Sequence, residues 1–447
     1  MEIFDEASAL HKAGKFEEAL DLYDKILSQN HNNTGLLATM GTLFLQTNKL
    51  GLAISFLERV IEKYPQSDVL SNLGLAYKNS GQRDKAFAAM TKSCEKDATP
   101  EALSNYAGMF TQTANPEKAM ELCRRAIEKK PELAIAHWNL ALALLESGQW
   151  DPAWDEHEWG LKTHGIQTPM RVDRKIFDAP YWDGTKDSIV AVYGEQGIGD
   201  EIMFASMIPD LMKTNTVIIE CHKRLKTLFE KSFPGVPIYG TREDTAITWP
   251  NNHKIDHRIS IGSLGKFFRR SKEDFPGTPY LISESAPKGK KFRIGISWSG
   301  GQKASRVQVR TVPLAWWKPI LNNDVEFISL QYTDCSEELS EMRKRGYDIK
   351  EFDGVKAEDY YETAKLVKSC DLVISVCTSV IHLAGALGVP CWVMVPNKPA
   401  WRYQVKGPMP WYRSVRLYRQ TDSWLPVVER IGEDLREIFD VQEEKVA

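Results

Sequence analysis

The chain has 447 residues, is 43% hydrophobic and 26% charged, and carries a formal net charge of −3. This length predicts about three domains, and the near-neutral charge favours neither nucleic acid nor an anionic membrane surface as a partner. The longest apolar runs are strand-sized and the first residues lack signal-peptide order, so we expect no membrane span. Seven cysteines without a C-x-x-C pair indicate reduced thiols and a cytoplasmic protein.

Small residues recur at a fixed period in the first third of the chain. They are Ala19, Ala53, Ala86, Ala119 and Ala153, separated by 34, 33, 33 and 34 residues. A Gly or polar turn precedes each alanine, as at Gly14, Gly81 and Gly148. The pattern resembles the tetratricopeptide repeat, in which two antiparallel helices pack small residues against large ones. We therefore predict an α-helical solenoid of about five repeats over residues 1–165.

Such an array implies a protein, peptide or glycan acceptor held in the repeat groove, or a docking surface that makes the chain a homo-oligomer. The repeat array ends with three tryptophans, Trp150, Trp154 and Trp159. This is more apolar surface than a solvent-exposed terminal segment needs, so the three residues predict an apolar docking face. Residues 166–187, with Pro169 and Pro180, read as a connector.

Residues 188–285 have the pattern of a first strand-and-helix domain. The apolar run Ile189 to Tyr193 predicts a buried strand, which a loop from Gly194 to Asp200 follows. We expect one helix from Glu201 to about residue 212, a helix over 224–231, and strands at 217–220, from 236 and ending at 258. Gly197 and Gly199 let the backbone approach a ligand, and spacing alone makes Asp200 an N-cap carboxylate. The loop fits neither the Walker nor the G-x-G-x-x-G pattern.

Residues 286–447 predict a second α/β domain. Strands are expected at 293–298, 325–330, 372–376 and 391–395, with helices after 313 and over 337–345 and 357–369. A ligand loop should run from Ser299 to Thr311, and Gln331 should end the second strand. Two strand–helix domains in tandem, each with a ligand loop, imply a cleft between them.

The stretch from Cys370 to Pro390 is the most informative part of this domain. After the apolar strand, Cys377 and Thr378 break the run, and Ser379 is expected to cap a helix that ends at Gly388. A strand–loop–helix unit of this kind presents backbone N–H groups and a positive dipole end, which bind anions and above all phosphates. The alternative is that Ser379 is only an N-cap and His382 only a core histidine.

Several motifs taken together carry a family resemblance. They are G-E-Q-G-I-G-D-E-I at Gly194, R-I-G-I-S-W-S-G-G at Arg293, R-T-V-P-L at Arg310, I-S-L-Q at Ile328, D-L-V-I-S-V-C-T-S-V-I-H at Asp371 and W-R-Y at Trp401. The chain resembles the ADP-heptose:lipopolysaccharide heptosyltransferase-like group of GT-B glycosyltransferases, in the bacterial subset that carries N-terminal tetratricopeptide repeats. This resemblance implies two Rossmann-like domains that face a cleft, and inverting transfer of a sugar from a nucleotide-diphosphate donor without a metal or other cofactor.

The resemblance also assigns roles to individual residues. Asp200 matches the general base, on a loop near the acceptor that Gly197 and Gly199 shape. The positions that match donor contacts are Arg310 for the diphosphate, Gln331 at a bordering strand end, and Cys377, Thr378, Ser379 and His382 in the donor-phosphate loop. Many relatives carry Asp where this chain has Cys377, which leaves the donor sugar open.

Two further interpretations compete with the enzyme. In one, the chain is a non-catalytic repeat scaffold whose GT-B module is degenerate or only binds sugar nucleotides. In the other, the acceptor is nucleic acid, as for a phage enzyme that glycosylates bases, which the near-neutral charge does not favour. A metal site built from Cys370, Cys377 and Cys391 is not expected, because their spacing fits no common ligand motif.

Overall fold

The computed structural model describes residues 2–95, 98–110, 114–163, 171–174, 178–300, 307–322 and 324–446, without the side chains of residues 2 and 440–446. The chain divides into two compact units, Met1–Ala143 and Leu144–Ala447. Two predicted features, Pro169 in the connector and residues 301–306 of the loop that begins at Ser299, lie outside the described residues. No helix of the described part is long and apolar enough to cross a membrane.

Successive helix pairs make up the N-terminal region, and the predicted helical repeat array is confirmed. The helices are α1 (Glu2–Lys12), α2 (Phe16–Gln29), α3 (Thr34–Gln46), α4 (Leu50–Ile61), α5 (Ser67–Asn79), α6 (Arg83–Ser93), α7 (Pro100–Phe110), α8 (Pro116–Lys129), α9 (Ala134–Ser147) and α10 (Trp150–His157). The boundary between the two compact units falls within α9.

The spacing of small residues explains these pairs. All five periodic alanines are fully buried, and a Cβ added to Gly41 or Gly74 would meet Leu57 or Met90 of the partner helix at 2.7 and 2.8 Å. Small residues therefore let the helices of a pair approach closely. Gly14 and Gly81 have φ angles of 76° and 83°, which places them in the left-handed region that ends a helix.

The first sheet lies in the second compact unit and is parallel. Its strands are β1 (Ile189–Tyr193), β2 (Thr216–Glu220), β3 (Ile238–Tyr239) and β4 (His257–Ser260), in the order β3-β2-β1-β4. Its helices are α11 (Ile198–Ala205), α12 (Ile208–Leu211), α13 (Lys226–Ser232) and α14 (Gly265–Phe268). The prediction of one helix from Glu201 to about residue 212 was wrong, because Pro209 has no N–H to bond the carbonyl four residues earlier and the helix breaks there.

The second sheet is also parallel and belongs to the same unit. Its strands are β5 (Arg293–Ser297), β6 (Glu326–Ser329), β7 (Ile349–Lys350), β8 (Leu372–Val376), β9 (Cys391–Val395) and β10 (Val415–Arg419), in the order β10-β9-β8-β5-β6-β7. Its helices are α15 (Val307–Arg310), α16 (Lys318–Leu321), α17 (Ser336–Lys344), α18 (Tyr360–Lys368), α19 (Ser379–Leu387) and α20 (Leu425–Val446). The prediction of an α/β region built on parallel sheets with helices is confirmed.

Strand order fixes where a ligand can bind. In the first sheet the chain runs outward from β1 to β2 and β3 and then returns to place β4 on the other side of β1. In the second sheet it runs outward from β5 to β6 and β7 and then returns to place β8 on the other side of β5. The direction of winding therefore switches between β1 and β4 and between β5 and β8. A crevice opens at such a switch point, beyond the carboxyl ends of the strands. The loop after β1 and the loop after β8 both begin at these places.

Short 3-10 turns complete the second unit. Two of them, Lys223–Leu225 and Trp401–Tyr403, carry residues of the candidate site described below. The turns are Glu158–Lys162, Lys223–Leu225, Trp249–Asn252, Ile261–Leu264, Lys272–Asp274, Leu314–Trp316, Asp353–Val355 and Trp401–Tyr403. Trp159 lies in the first of these turns, whereas Trp150 and Trp154 are buried on α10.

Candidate functional site

Asp200 is the third residue of α11 and not its N-cap, so the predicted capping role needs correction. The helix starts earlier than expected because Gly197 is the N-cap, with φ −92° and ψ 163°. The backbone amide of Gly197 donates to Asp200 Oδ2 at 3.2 Å. Asp200 thus closes the first turn of α11 from inside the helix, which fixes the direction of its carboxylate.

The N-cap of α19 is Thr378 and not Ser379, which is a second one-residue correction. Thr378 Oγ1 accepts the amide N–H of Val380 at 3.3 Å, and Ser379 becomes the first helical residue. The Ser379 hydroxyl instead accepts a hydrogen bond from Tyr360 Oη at 3.0 Å. The helix ends as predicted at Gly388, whose φ is 74°.

Helices α11 and α19 approach each other closely at Gly199. A Cβ atom at this position would lie 3.3 Å from both His382 Cδ2 and Ser379 Cα. That spacing is tighter than ordinary van der Waals contact, so the absence of a side chain lets the two helices meet. The meeting point joins the loop after β1 to the loop after β8.

His382 is buried and neutral. It is 4% exposed, and its Nδ1 lies 3.3 Å from Tyr412 Oη. Burial, with a contribution from the nearby charge of Arg402, lowers the pKa of His382 well below its ordinary value. The histidine is therefore part of the packed helix and also a wall of the site, so the two alternatives drawn from the sequence do not exclude each other.

A cavity of about 570 Å³ lies between the carboxyl edges of the two sheets. It brings together nearly all of the residues that the sequence predicts for the site, namely Gly197, Gly199, Asp200, Arg310, Cys377, Thr378, Ser379 and His382. These residues come from α11, α15 and the strand–loop–helix unit around β8. They are far apart in the sequence, so the fold alone places them in one cavity.

Gln331 is the exception among the predicted residues. It is not among the described residues that line this cavity. Its Oε1 accepts hydrogen bonds from Ser297 Oγ and from the amide of Ser299, both at 3.2 Å. In this structure Gln331 ties the carboxyl ends of β5 and β6 together.

Cations dominate the charged groups that line the cavity. Arg310 Nη1 donates to the carbonyl oxygen of Cys377 at 3.0 Å. Arg224 stacks on the ring of Tyr360 with its guanidinium carbon 5.3 Å from the ring centroid. Arg402 forms an ion pair with Asp200. Three guanidinium groups thus face one carboxylate among the described lining residues, an arrangement suited to an anionic ligand.

Cys377 is a neutral thiol in this environment. Burial raises its pKa to about 11, although Arg310, Arg402 and Arg419 act in the opposite direction. A helix N-terminus and nearby cations by themselves lower the pKa of a thiol. Desolvation outweighs both effects because the thiol is 4% exposed.

Sequence reasoning missed five charged or tyrosine side chains that line the cavity: Arg224, Tyr332, Tyr360, Arg402 and Tyr403. Arg402 and Tyr403 belong to the W-R-Y motif, which contributed to the family resemblance without a role assigned to it. The other three belong to no motif named above. Arg224 and Tyr332 lie in the turns after β2 and β6, and Tyr360 is the first residue of α18.

A buried network supports the loop that carries Asp200. Arg171 Nε donates to both oxygens of Glu195 at 3.1 and 3.0 Å, and its Nη2 donates to Ser260 Oγ at 2.9 Å and Ser263 Oγ at 2.7 Å. Both charged side chains are buried. A paired, fully bonded charge of this kind rigidifies the backbone around it, so the loop after β1 starts from a fixed position.

Metal ligands do not cluster in the described part of the chain. No group of three or more His, Cys, Asp or Glu side chains there could hold a metal ion.

Comparison with known proteins supports the N-terminal assignment. Two family models described as tetratricopeptide repeat match residues 10–74 and 67–98. Protein FlbA of Caulobacter vibrioides is 26% identical over 463 residues, which covers 96% of this chain and 72% of FlbA. The N-terminal residues therefore form tetratricopeptide repeats, which are protein-interaction modules.

Solved structures are similar over part of the chain. A crystal structure of MamA is 20% identical and covers 35% of this chain and 92% of its own, with a TM-score of 0.30. A structure of PilF from Pseudomonas aeruginosa is 16% identical and covers 35% of this chain and 73% of its own, with a TM-score of 0.32.

Proposed function

We propose that this chain is a glycosyltransferase that moves a sugar from a nucleotide-diphosphate donor to a protein or glycan acceptor. The two sheet regions would act as the halves of a GT-B fold, with inversion at the anomeric carbon and no metal. One observation carries the proposal: a carboxylate from the first sheet and the arginine-lined start of α19 from the second share one cavity. Inverting transfer needs a base on one side of the sugar and cationic stabilisation of the departing diphosphate on the other.

In the proposed reaction, Asp200 takes the proton from the acceptor hydroxyl as its oxygen attacks the anomeric carbon. The bond between that carbon and the diphosphate oxygen breaks, and the nucleoside diphosphate leaves with the electron pair. Arg310 and the backbone N–H groups at the start of α19 would stabilise its charge. Arg310 is anchored for this task by its hydrogen bond to the Cys377 carbonyl.

Cys377 has no chemical step in this reaction. A direct displacement forms no covalent intermediate, and a buried thiol with a pKa raised to about 11 is a poor nucleophile at neutral pH. Its proposed role is to shape the donor pocket with a small neutral group, where many relatives have a carboxylate.

The repeats support a protein partner, and the acceptor is the natural candidate. A repeat array presents an extended concave surface that suits a peptide or protein. We propose that this surface recognises the acceptor or joins two copies of the chain, and that the reaction takes place in the cytoplasm.

A non-catalytic scaffold is the second candidate. The confirmed repeats favour it, and so does Cys377, because a lost carboxylate is one way for a transferase site to decay. The two candidates differ in one property: the enzyme turns a donor over, whereas a scaffold whose module is degenerate or only binds sugar nucleotides does not.

A thermal-shift and hydrolysis screen across nucleotide sugars separates them. We expect at least one donor, and its nucleoside diphosphate, to raise the melting temperature and to be slowly hydrolysed in the presence of EDTA. The same screen on Arg310→Ala should give a smaller shift. If no nucleotide sugar is consumed by the intact protein, whether or not one raises its melting temperature, the enzyme proposal fails and the scaffold stands.

A further inference from the structure

The Asp200–Arg402 ion pair joins the two sheet regions across the cavity. Arg402 Nη2 donates to Asp200 Oδ1, while Asp200 Oδ2 accepts the amide of Gly197. The two side chains are 18% and 19% exposed. Both oxygens of the proposed base are therefore engaged, one of them by a cation, and a carboxylate in that state is poorly placed to take a proton from an acceptor hydroxyl.

Arg402 has unused capacity for hydrogen bonds. A guanidinium carries five N–H donors, and the Nε of Arg402 is buried with no hydrogen-bond partner among the described residues. Arg402 lines the main cavity and also an adjoining cavity of about 60 Å³, and it shares both with Arg310, Cys377 and Tyr403. The charge is secure: burial acts to lower the pKa of Arg402, but the combined effects of Asp200, Tyr403 and Cys377 raise it. Arg402 therefore faces the same space as the proposed diphosphate contacts.

The backbone that carries Arg402 is held in place. Arg419 donates to the carbonyl oxygens of Tyr403 at 2.7 Å, Gln404 at 2.8 Å and Gly407 at 2.9 Å. Gln404 has a φ of 53°, a left-handed conformation that persists only where the surroundings enforce it. The amide of Val405 also donates to the Glu146 carbonyl at 3.3 Å. With the turn fixed, the arginine side chain is the part that can change partner.

The loop on the other side of the ion pair is held in the same way. Gln196 has a φ of 60°, and its carbonyl oxygen accepts a hydrogen bond from Arg242 Nη1 at 2.7 Å. Asp200 follows four residues later, in the first turn of α11. Two enforced backbone conformations thus flank one contact that joins two parts of the site, a pattern typical of functional positions.

We propose that Arg402 is a donor-binding residue that exchanges partners during the reaction. Arg402 pairs with Asp200 as in this structure, and when the donor binds it turns to the diphosphate and leaves Asp200 to the acceptor hydroxyl. This inference rests on the proposed donor site. Its consequence is an order of events, because the base is released only when the donor is in place.

Competition for one guanidinium gives the proposal a measurable signature. If the diphosphate must displace Asp200 from Arg402, the carboxylate opposes donor binding, and Asp200→Asn should tighten it. We expect a gain of about threefold or more in affinity, the scale of a partly exposed ion pair. Arg402→Ala should weaken binding about tenfold or more, because a charge-assisted contact is lost.

The decisive experiment is a double-mutant cycle followed by titration calorimetry. The probes are UDP, GDP, ADP and CDP, and the one that binds most tightly is titrated into the wild type, Asp200→Asn, Arg402→Ala and the double variant. We expect Asp200→Asn to tighten binding only while Arg402 is present. Removal of a negative charge without partner exchange would tighten binding equally in both backgrounds, and that result overturns the proposal.

Arg224 provides the matched control, since it lines the same cavity but donates to the carbonyl oxygens of Ala357 and Glu358. In the Arg224→Ala background the gain from Asp200→Asn should persist. Melting temperatures verify folding, and Arg402→Gln takes the place of Arg402→Ala if the alanine variant does not fold. Failure of every nucleotide to bind the wild type overturns both this inference and the proposed function, whereas tight binding with an additive cycle overturns the inference alone.

Discussion

Arg310 is the residue whose surroundings point most directly to a diphosphate. It ends α15, donates to the backbone next to the N-cap of α19, and lines both the main cavity and its small neighbour. A guanidinium in this position can contact phosphate oxygens that already lie at a helix N-terminus.

Arg310→Ala should weaken nucleoside diphosphate binding by about ten- to a hundredfold, because a charge-assisted contact of about 1.5–3 kcal/mol is lost. Titration calorimetry measures this directly. Arg345→Ala is the matched control, since Arg345 pairs with Glu341 on the exposed side of α17 and should have no effect. Equal affinity in the wild type and Arg310→Ala would remove Arg310 from the donor site.

Cys377→Ala should keep turnover within about threefold, because the thiol has no chemical step and the substitution removes only a small buried group. Cys377→Asp should change the ranking of donors, since it restores a hydrogen-bond acceptor to the pocket. Rates for both variants against a donor panel provide the measurement.

The raised pKa of Cys377 adds an independent readout. Alkylation of this thiol should be slow at pH 7 and should accelerate as the pH rises toward about 11, where the thiolate forms. Loss of all turnover in a well-folded Cys377→Ala protein would mean that the thiol takes part in the reaction.

Helix α19 is the element on which the second sheet and the site depend. Every residue from Val380 to Leu387 is buried, so the helix has no solvent-facing side and its packing is set all round. A Cβ on Gly385 would lie 2.3 Å from Tyr412 Cγ, and Tyr412 in turn contacts His382. A change in packing at Gly385 would therefore reach, through Tyr412, the His382 side chain that lines the cavity.

Gly385→Ala should destabilise the protein by about 1–3 kcal/mol, because the added methyl group overpacks the contact with the Tyr412 ring. Chemical denaturation measures the loss, and donor affinity should fall as α19 shifts. Gly289→Ala is the control, because no atom lies within 4 Å of a Cβ at that position. Equal stability of Gly385→Ala and wild type would mean that Tyr412 moves aside at no cost.

Elements were easier to predict from the sequence than their ends. The 33- and 34-residue spacing of buried alanines predicted the helix pairs, and apolar runs predicted β1, β5, β8 and β9. The two N-caps were each assigned to the wrong residue, at Asp200 and at Ser379. Asp, Ser, Thr and Gly are all acceptable caps, so the choice depends on backbone angles that tertiary packing sets.

The composition of the site shows a second limit of sequence analysis. Arg310 and the residues around Cys377 carried recognisable motifs, whereas Arg224 and Arg402 reach the cavity from turns after β2 and β9. Their role depends on which strand ends the topology brings together. Gln331 illustrates the reverse case, since a strand-end position alone did not place it in the cavity.

At the scale of the whole molecule, the second compact unit includes the last helix of the repeat array. Trp150 and Trp154 on α10 are buried within this unit, and Trp154 Nε1 donates to the carbonyl oxygen of Arg269 at 2.7 Å. The compact unit begins at Leu144, before α10.

Truncation can therefore separate donor binding from acceptor recognition. A chain of residues 144–447 should fold and bind nucleotide like the intact protein, but transfer to a macromolecular acceptor should fall because the repeats are missing. A chain of residues 158–447 should be much less stable, since it also loses the two buried tryptophans. If residues 144–447 modify the acceptor as well as the full chain, the repeats do not recognise it.

The most direct test of the account is the turnover of Asp200→Asn with a donor that binds. A general base contributes about a hundredfold or more to the rate, so transfer should fall by at least that factor while the donor still binds. Single-turnover rates and calorimetric affinities, measured on the same preparation, give both quantities. A wild-type rate in Asp200→Asn would contradict the account, because the carboxylate would then only complete the first turn of α11.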